Sequence, residues 1–294
     1  MKFKITLLLY GLCTTVALGQ TVLKYDLKEG EVFTIKQTAE QVITQELDGE
    51  AHVLTNTLDG LLEFKVLGER EGNYKVEMTF RDLNMLMTSS IQGELMNVHA
   101  NEVSEGDIQS QIFHSLLNNP VEMTVAKNGD ILNVAGGESL ITRMANASGL
   151  EDDFSKNMMK KNLEKEFGSE ALSNSYEQLT YIYANGKVKV GDTWQNEFTG
   201  KLDAKNTWKL DALADNSVTI SGNAEVNVQT EDTGISMNLN GFQTTMIIAD
   251  RTSGFIKTMK VEGEFTGASV MPQMGETKIP TTIKSITTYK LIKT

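Results

Sequence analysis

Alternation of apolar and polar positions with period two dominates both ends of the chain. From Phe33 one parity reads Phe33, Ile35, Gln37, Ala39, Gln41, Ile43, Gln45 and Leu47. The other reads Thr34, Lys36, Thr38, Glu40, Val42, Thr44 and Glu46. That pattern predicts one long strand, or two in line, with a half-apolar face and a wet face. Asp48-Gly49 is a hairpin turn pair. The next strand puts His52, Leu54, Asn56, Leu58, Leu62, Phe64 and Val66 on one face. Glu71-Gly72-Asn73 turns the chain into Tyr74, Val76, Met78 and Phe80. The apolar parity then flips to Leu83, Met85 and Met87, which predicts a bulge near Asp82.

The middle of the chain changes to helical spacing. Ile108, Ile112, Phe113 and Leu116 predict a helix ended by Asn118-Asn119-Pro120. Val121–Val134 reads as a hairpin with Asn128-Gly129 at its tip. Leu140, Ile141, Met144 and Ala145 predict a helix stopping near Gly149. Phe154, Met158, Met159, Leu163 and Phe167 form a further stripe, read as core, with Asp152 and Asp153 at its acid-favouring start. Ala171–Leu179 is read as helical too. The helical insert therefore spans about residues 137–179.

Strand grammar returns at Lys187. Candidate strands are Thr193–Gly200, Asn206–Leu213, Val218–Val228, Ile235–Ile248, Phe255–Phe265 and Thr281–Ile292, with Gly267–Pro280 as a loop. Two short echoes link the halves. Lys28-Glu29-Gly30-Glu31-Val32-Phe33 parallels Lys189-Val190-Gly191-Asp192-Thr193-Trp194. Met123–Ile131 parallels Met246–Ile256, with two extra residues in the turn. The order of the echoes is the same in each half, as duplication of one β unit gives, although any β-hairpin shares part of this pattern. The expected fold class is mainly β (α+β): curved antiparallel sheets in two related halves, with the helical insert.

The first residues add an address. Met1–Lys4 is short and basic, Ile5–Leu18 is mostly apolar, and Ala17-Leu18-Gly19 has small residues placed for cleavage. This reads as a secretory signal peptide over residues 1–19; the apolar run is too short for a span. The expected division is then 1–19 signal peptide, 20–180 an N-terminal β-rich half with the insert, and 181–294 a C-terminal β half. Cys13, the one cysteine, lies in the signal and follows Leu12 rather than the small residue that lipidation needs. The mature chain is thus expected to lack thiol chemistry and disulfides. No later apolar run is long enough to span a membrane. Export places the protein in the periplasm or at the cell surface.

Composition removes other classes. With 27 Lys+Arg against 39 Asp+Glu the net charge is −12, which disfavours nucleic acid as a partner. His52, His99 and His114 have no metal-binding spacing, and neither a P-loop nor a G-x-G-x-x-G occurs, so no metal or other cofactor is expected. No G-x-S-x-G elbow is present. Glu151-Asp152-Asp153 suits a helix start better than a carboxylate pair in a cleft. Thioethers bind soft Cu(I), and Met271 and Met274 are the pair to test, whereas Met85, Met87, Met158 and Met159 read as core. Trp194, Trp208, Tyr176, Tyr181 and Tyr183 could form a sugar platform but suit packing better.

Five residues stand out. Gln37, Gln41 and Gln45 share a face with Phe33, Ile35 and Ile43; His52 and Asn56 share one with Leu54 and Leu58. In a dry core each unpaired group costs about 1–3 kcal/mol. A semi-polar groove removes that cost, as does simple exposure of this part of the sheet. Gln37, Gln41, Gln45, His52 and Asn56 are therefore the candidate ligand-binding residues, fixing the orientation of an apolar or amphipathic ligand on a concave sheet.

The signal peptide, Tyr25-x-Leu27-x-x-Gly30-x-x-Phe33, Gln41-x-x-x-Gln45, Gly72-Asn73-Tyr74-x-Val76 and Val190-Gly191-Asp192-Thr193-Trp194 together resemble an uncharacterised family of secreted proteins from Bacteroidetes-type bacteria. That family has no known function, so the resemblance implies no site residues. In architecture the hairpins look like those of curved β-sheet carriers of lipoproteins and lipids in bacterial envelopes. The expected function is non-enzymatic binding of a lipid or other amphipathic small molecule. The alternatives are a structural protein that binds an envelope protein by a sheet edge, and a hydrolase with an unrecognised site.

Overall fold

The computed structural model describes residues 19–200, 202–232, 235–271 and 277–293. The expected signal through Leu18, with Cys13, lies outside the described residues, as does Met274 of the methionine pair. In chain order the elements are β1 (Thr21–Val22), β2 (Val32–Leu47), β3 (Glu50–Arg70), β4 (Asn73–Ser89), β5 (Gly93–His99), α1 (Ile108–His114), β6 (Val121–Val125) and β7 (Ile131–Ala135). There follow α2 (Gly137–Ala147), α3 (Asp153–Phe167), α4 (Ser169–Thr180), β8 (Lys187–Val188), β9 (Thr193–Phe198), β10 (Leu202–Leu213) and β11 (Ser217–Asp232). The chain ends in β12 (Ile235–Asp250), β13 (Ile256–Val270) and β14 (Lys278–Lys293).

One antiparallel sheet runs in the order β7-β6-β4-β3-β2-β14-β13-β12-β11-β10-β9, with β5 also on β4. Pairing of β2 with β14 joins the two halves of the sequence edge to edge. The sheet does not close, because β7 and β9 remain its two edges. The expected parity flip is a bulge at Arg81: Leu61 faces Asp82, and the next residue, Leu62, faces Phe80. β13 and β14 extend into the expected 267–280 loop, reaching Val270 and starting at Lys278. Pro280 sits within β14, opposite Ala268.

The echoed motifs adopt matching geometry. Glu31 N–H donates to the Lys28 carbonyl and the Glu31 carboxylate accepts from Lys28 N–H at 2.8 Å. Asp192 and Lys189 make the same pair of bonds, at 3.0 and 3.1 Å. Gly30 N–H donates to Val66, and Gly191 N–H to Leu210, each on a strand beside the turn. The second echo pairs the turn at Asn128-Gly129 with that at Ser253-Gly254.

Both of these turns are pinned by one hub. Tyr25 N–H donates to Lys127 and Asp26 N–H to Ser253, so two consecutive residues bridge the two turns. Tyr183 N–H donates to Asn128, and its hydroxyl donates to the Gly254 carbonyl at 2.5 Å. The Tyr25 and Tyr183 rings meet edge to face at 5.2 Å, and Phe255 stacks on Phe33 at 3.9 Å. Gly129 and Gly254 have φ of +98° and +72°, a region that favours glycine. A Cβ at either would overlap a carbonyl oxygen, that of Thr180 or that of Lys24.

Helices α2 and α4 send Leu140, Met144, Leu172, Tyr176 and Leu179 into the core. Tyr176 lies edge-on to Phe64 and Phe80 on the inner sheet face. α3 differs from expectation. Leu163 and Phe167 pack on the core, but Phe154 and Met158 are 75% and 47% exposed. The stripe is helical in spacing, yet only its C-terminal half meets a partner; Phe167 lies against Phe80 and Phe113.

Candidate functional site

Strand register places every expected site residue on one surface, the inner face of the sheet. Across β3, β2 and β14, the inner positions form rows: Leu58–Ala39–Thr287, Asn56–Gln41–Ser285, Leu54–Ile43–Ile283 and His52–Gln45–Thr281. The second row continues through Gly263, Gln243, Ala224 and Asn206 to Asn196 on β9. It is a belt rich in polar side chains lying across the concave surface.

On one side of the belt the inner face is filled. Ile35, Leu62, Met78, Leu210, Ile220 and Ile247 are fully buried beneath the helices and the hub. Around the belt itself lies a cavity of about 520 Å³. Its walls include Met87 and Met96 from β4 and β5, and Leu202 and Val228 from β10 and β11. These strands stand far apart in the sheet order, so the sheet curls until its distant parts face one space. Gln178 of α4 also lines the cavity.

The polar groups of this face are only partly satisfied. Asn56 donates to Gln41 at 3.1 Å, which leaves the buried Asn56 Oδ1 unpartnered. Gln45 donates to Ser269 at 2.8 Å, Ser269 and Thr281 share a bond of 2.8 Å, and Gln45 Oε1 has no partner. Ser89 Oγ accepts from Ile91 and Gln92 N–H and lies 3.0 Å from His52 Nε2. With both lone pairs engaged, the Ser89 hydroxyl hydrogen goes to Nε2, so Nδ1 carries the imidazole proton. That Nδ1–H is also buried and unpartnered, across the strand pair from Gln45. Asn206 Nδ2 and Thr230 Oγ1 complete the set of five such atoms among the described residues. All five belong to inner-face positions at the belt or beyond it on the cavity side.

Gln37 is the outlier. It pairs loosely with the Tyr289 hydroxyl at 3.5 Å, toward the filled end, and burial pushes that phenol up to about 12. Gln41 and Asn56 line the cavity, whereas Gln45 and His52 sit one row beyond its wall. Thr230, Gln243, Ser285 and Gln178 also line it and were not singled out from the sequence. The first three carried a signal: each shares parity with apolar neighbours on its strand, as the N-terminal glutamines do. Gln178 had none, because helix packing decides which side of α4 meets the sheet.

The aromatic group packs rather than forming a platform. Trp208 is buried and donates to Asn196 at 2.9 Å; Asn196 donates to the Tyr181 carbonyl and Trp194 to that of Ile182. Lys36–Asp59, Arg81–Glu63 and Lys284–Glu264 are outer-face ion pairs, each worth about 0–1 kcal/mol. Among the described residues no three His, Cys, Asp or Glu side chains converge as a metal site.

Residues 71–256 match the model of a family of unknown function (DUF6263), and the chain belongs to that family. No curated protein matches it. Among solved structures, one reported under "lipid-protein interactions in lipovitellin" is similar over 91% of this chain, at 10% identity and a TM-score of 0.53. The match covers 26% of the lipovitellin chain, so this protein spans about a quarter of it. The likeness shows a shared sheet architecture. An outer membrane channel from Pseudomonas putida F1 matches at 8% identity over 91% of this chain and 97% of its own, with a TM-score of 0.25, which carries no argument. No helix among the described residues is long and apolar enough to cross a membrane.

Proposed function

We propose that this protein is an exported, non-enzymatic binding protein that holds an apolar or amphipathic small molecule in the concavity of its sheet. One observation carries the reading: the five unpartnered buried polar atoms all lie on the face that surrounds or borders the 520 Å³ cavity. Buried polar groups in proteins are paired almost throughout. A cluster of exceptions beside a thioether- and aliphatic-lined space is what an amphipathic ligand would complete. The volume falls within the ~300–1,000 Å³ of small-molecule sites. The likeness to lipovitellin, whose structure concerns lipid–protein interactions, supports the reading as an analogy of fold.

In this reading Gln41 and Asn56 orient the ligand directly, and Gln45 and His52 reach a group extending past Ile43. Gln37 sets the boundary with the filled core. The matched turns and the shared hub favour two duplicated halves, 20–180 and 181–294, following a cleaved signal at 1–19, with the protein in the periplasm or at the cell surface. The test is fluorescence of the neutral apolar probe N-phenyl-1-naphthylamine. Enhancement with the wild-type protein and its loss in Ala39→Trp, which fills the cavity from β2, support the reading. No enhancement with wild type, or an equal one in the variant, contradicts it.

A further inference from the structure

We infer that the ligand carries an uncharged hydrogen-bonding headgroup, a hydroxyl, ester or amide, and that its ionised counterparts are excluded. This deepens the binding role proposed above and rests on it.

Strand parity sorts the charged side chains from the uncharged ones. From the Phe33 row to the Gln45 row, the inner positions of the large sheet carry no Asp, Glu, Lys or Arg. Charged residues occupy the alternate, outer positions of the same strands: Lys36 and Glu40 on β2, Asp59 and Glu63 on β3, Glu262 and Glu264 on β13, Lys284 and Lys290 on β14. Glu40 is the one charged residue in the cavity lining; it stands on the outer parity of β2, exposed, at the rim between the inward Ala39 and Gln41. Apart from that rim carboxylate, the polar lining consists of amides and hydroxyls, among them Gln41, Asn56, Gln178, Thr230, Gln243 and Ser285.

Such a lining distinguishes ligand classes. A carboxylate or phosphate placed there gains no countercharge, and burying an unpaired ion costs several kcal/mol even after relaxation. Neutral headgroups fit what is left open. Asn56 Oδ1 accepts from a hydroxyl or amide, while the Thr230 hydroxyl donates to a carbonyl or ether oxygen. Both donors and acceptors are unpartnered, so the complement is a group with both functions, as a hydroxyl has. The titratable groups on this face are His52, bonded to Ser89, and Tyr289, which burial holds neutral. His52 lies one row outside the cavity wall, on the far side of Ile43 and Leu54.

The test is calorimetric titration of the purified protein at pH 8 with two probes of equal chain length, 1-monolauroylglycerol and laurate. The inference predicts tighter binding of the glycerol ester by at least about tenfold. It predicts that laurate gains on lowering the pH toward its own protonation, while the ester stays constant. Laurate binding as tightly as the ester at pH 8 overturns the inference and leaves the cavity-binding role standing. Failure of both probes to bind overturns both. Asn56→Leu probes the headgroup contact: a loss of about tenfold for the ester supports the assignment, and an unchanged ester affinity opposes it.

Discussion

Asn56 Nδ2 donates to Gln41 Oε1 at 3.1 Å across neighbouring strands, and the carbonyl oxygen of the same Asn56 amide is buried without a partner. The pair is thus stable enough to be ordered and incomplete enough to want a third group. Replacing both residues, Gln41→Leu with Asn56→Leu, removes the unpaired oxygen and both desolvated amides. Paired removal of buried polar groups is neutral or stabilising, so thermal unfolding should show no loss, or a gain of about 1 kcal/mol. Binding of a hydroxylated amphiphile should fall in the same variant. A destabilisation of several kcal/mol would mean the amides hold the fold rather than the ligand.

Tyr183 ties the two echoing turns together through Asn128 and Gly254. Tyr183→Phe leaves the Gly254 carbonyl unpaired and should cost about 1–3 kcal/mol in chemical denaturation. Gly129→Ala and Gly254→Ala meet backbone carbonyls at positive φ and should each cost about 2–4 kcal/mol. Equal losses from the two glycine variants fit a hub shared by both halves. A loss from only one makes the resemblance of the turns superficial.

Glu177 on α4 is half-buried beside Asp130 of the β6–β7 turn. Burial, then the hydrogen bond and charge of Asp130, push its carboxyl up to about 7. A carboxyl raised in the folded state favours folding while protonated. Its contribution is present below the ordinary carboxylate range and is lost as pH rises through about 7. Unfolding free energies at pH 5 and pH 8 should therefore differ by about 1 kcal/mol more in wild type than in Glu177→Gln, after discounting for solvent screening. Identical pH slopes in the two proteins would contradict this.

Asp250 behaves in the opposite sense. Burial raises its pKa, but the Lys257 hydrogen bond and the Ser253 and Thr252 N–H groups outweigh that and lower it to about 2. Its stabilisation is present above the ordinary aspartate value and is lost as pH falls through about 2. Asp250→Asn should remove part of the acid sensitivity of the unfolding transition below pH 4 and leave the pH 5 to 8 slope unchanged. An altered slope in the upper window would sink the assignment.

Much of this architecture was legible because β-strands announce their faces. Alternation along Phe33–Leu47 and Val218–Val228 assigned inner and outer residues that the register reproduces. The Asp82 parity flip located a bulge one residue away, at Arg81. The mixed face of Gln41 and Asn56 was legible for the same reason. What parity cannot encode is how far a sheet curls. Nothing in the sequence brings Met96 to the same space as Leu202, since that depends on curvature summed over many strands. Helix packing was equally hidden. The Phe154–Phe167 stripe has the spacing of a core helix, but only its Leu163 and Phe167 end reaches the core, and Gln178 reaches the cavity without any local signal. His52 was legible as polar on an apolar face, but its tautomer follows from two backbone N–H groups on Ser89 that only the turn at Ile91 and Gln92 supplies.

The central claim is that the concavity holds a small amphiphile in the working protein. Its most direct test is mass spectrometry of solvent extracts from protein purified natively from its own cells, beside the Ala39→Trp variant. The account predicts a recurrent neutral amphiphile in wild-type extracts and its absence from the variant. Extracts of wild type free of any bound small molecule, or an equal yield from the blocked variant, would contradict it.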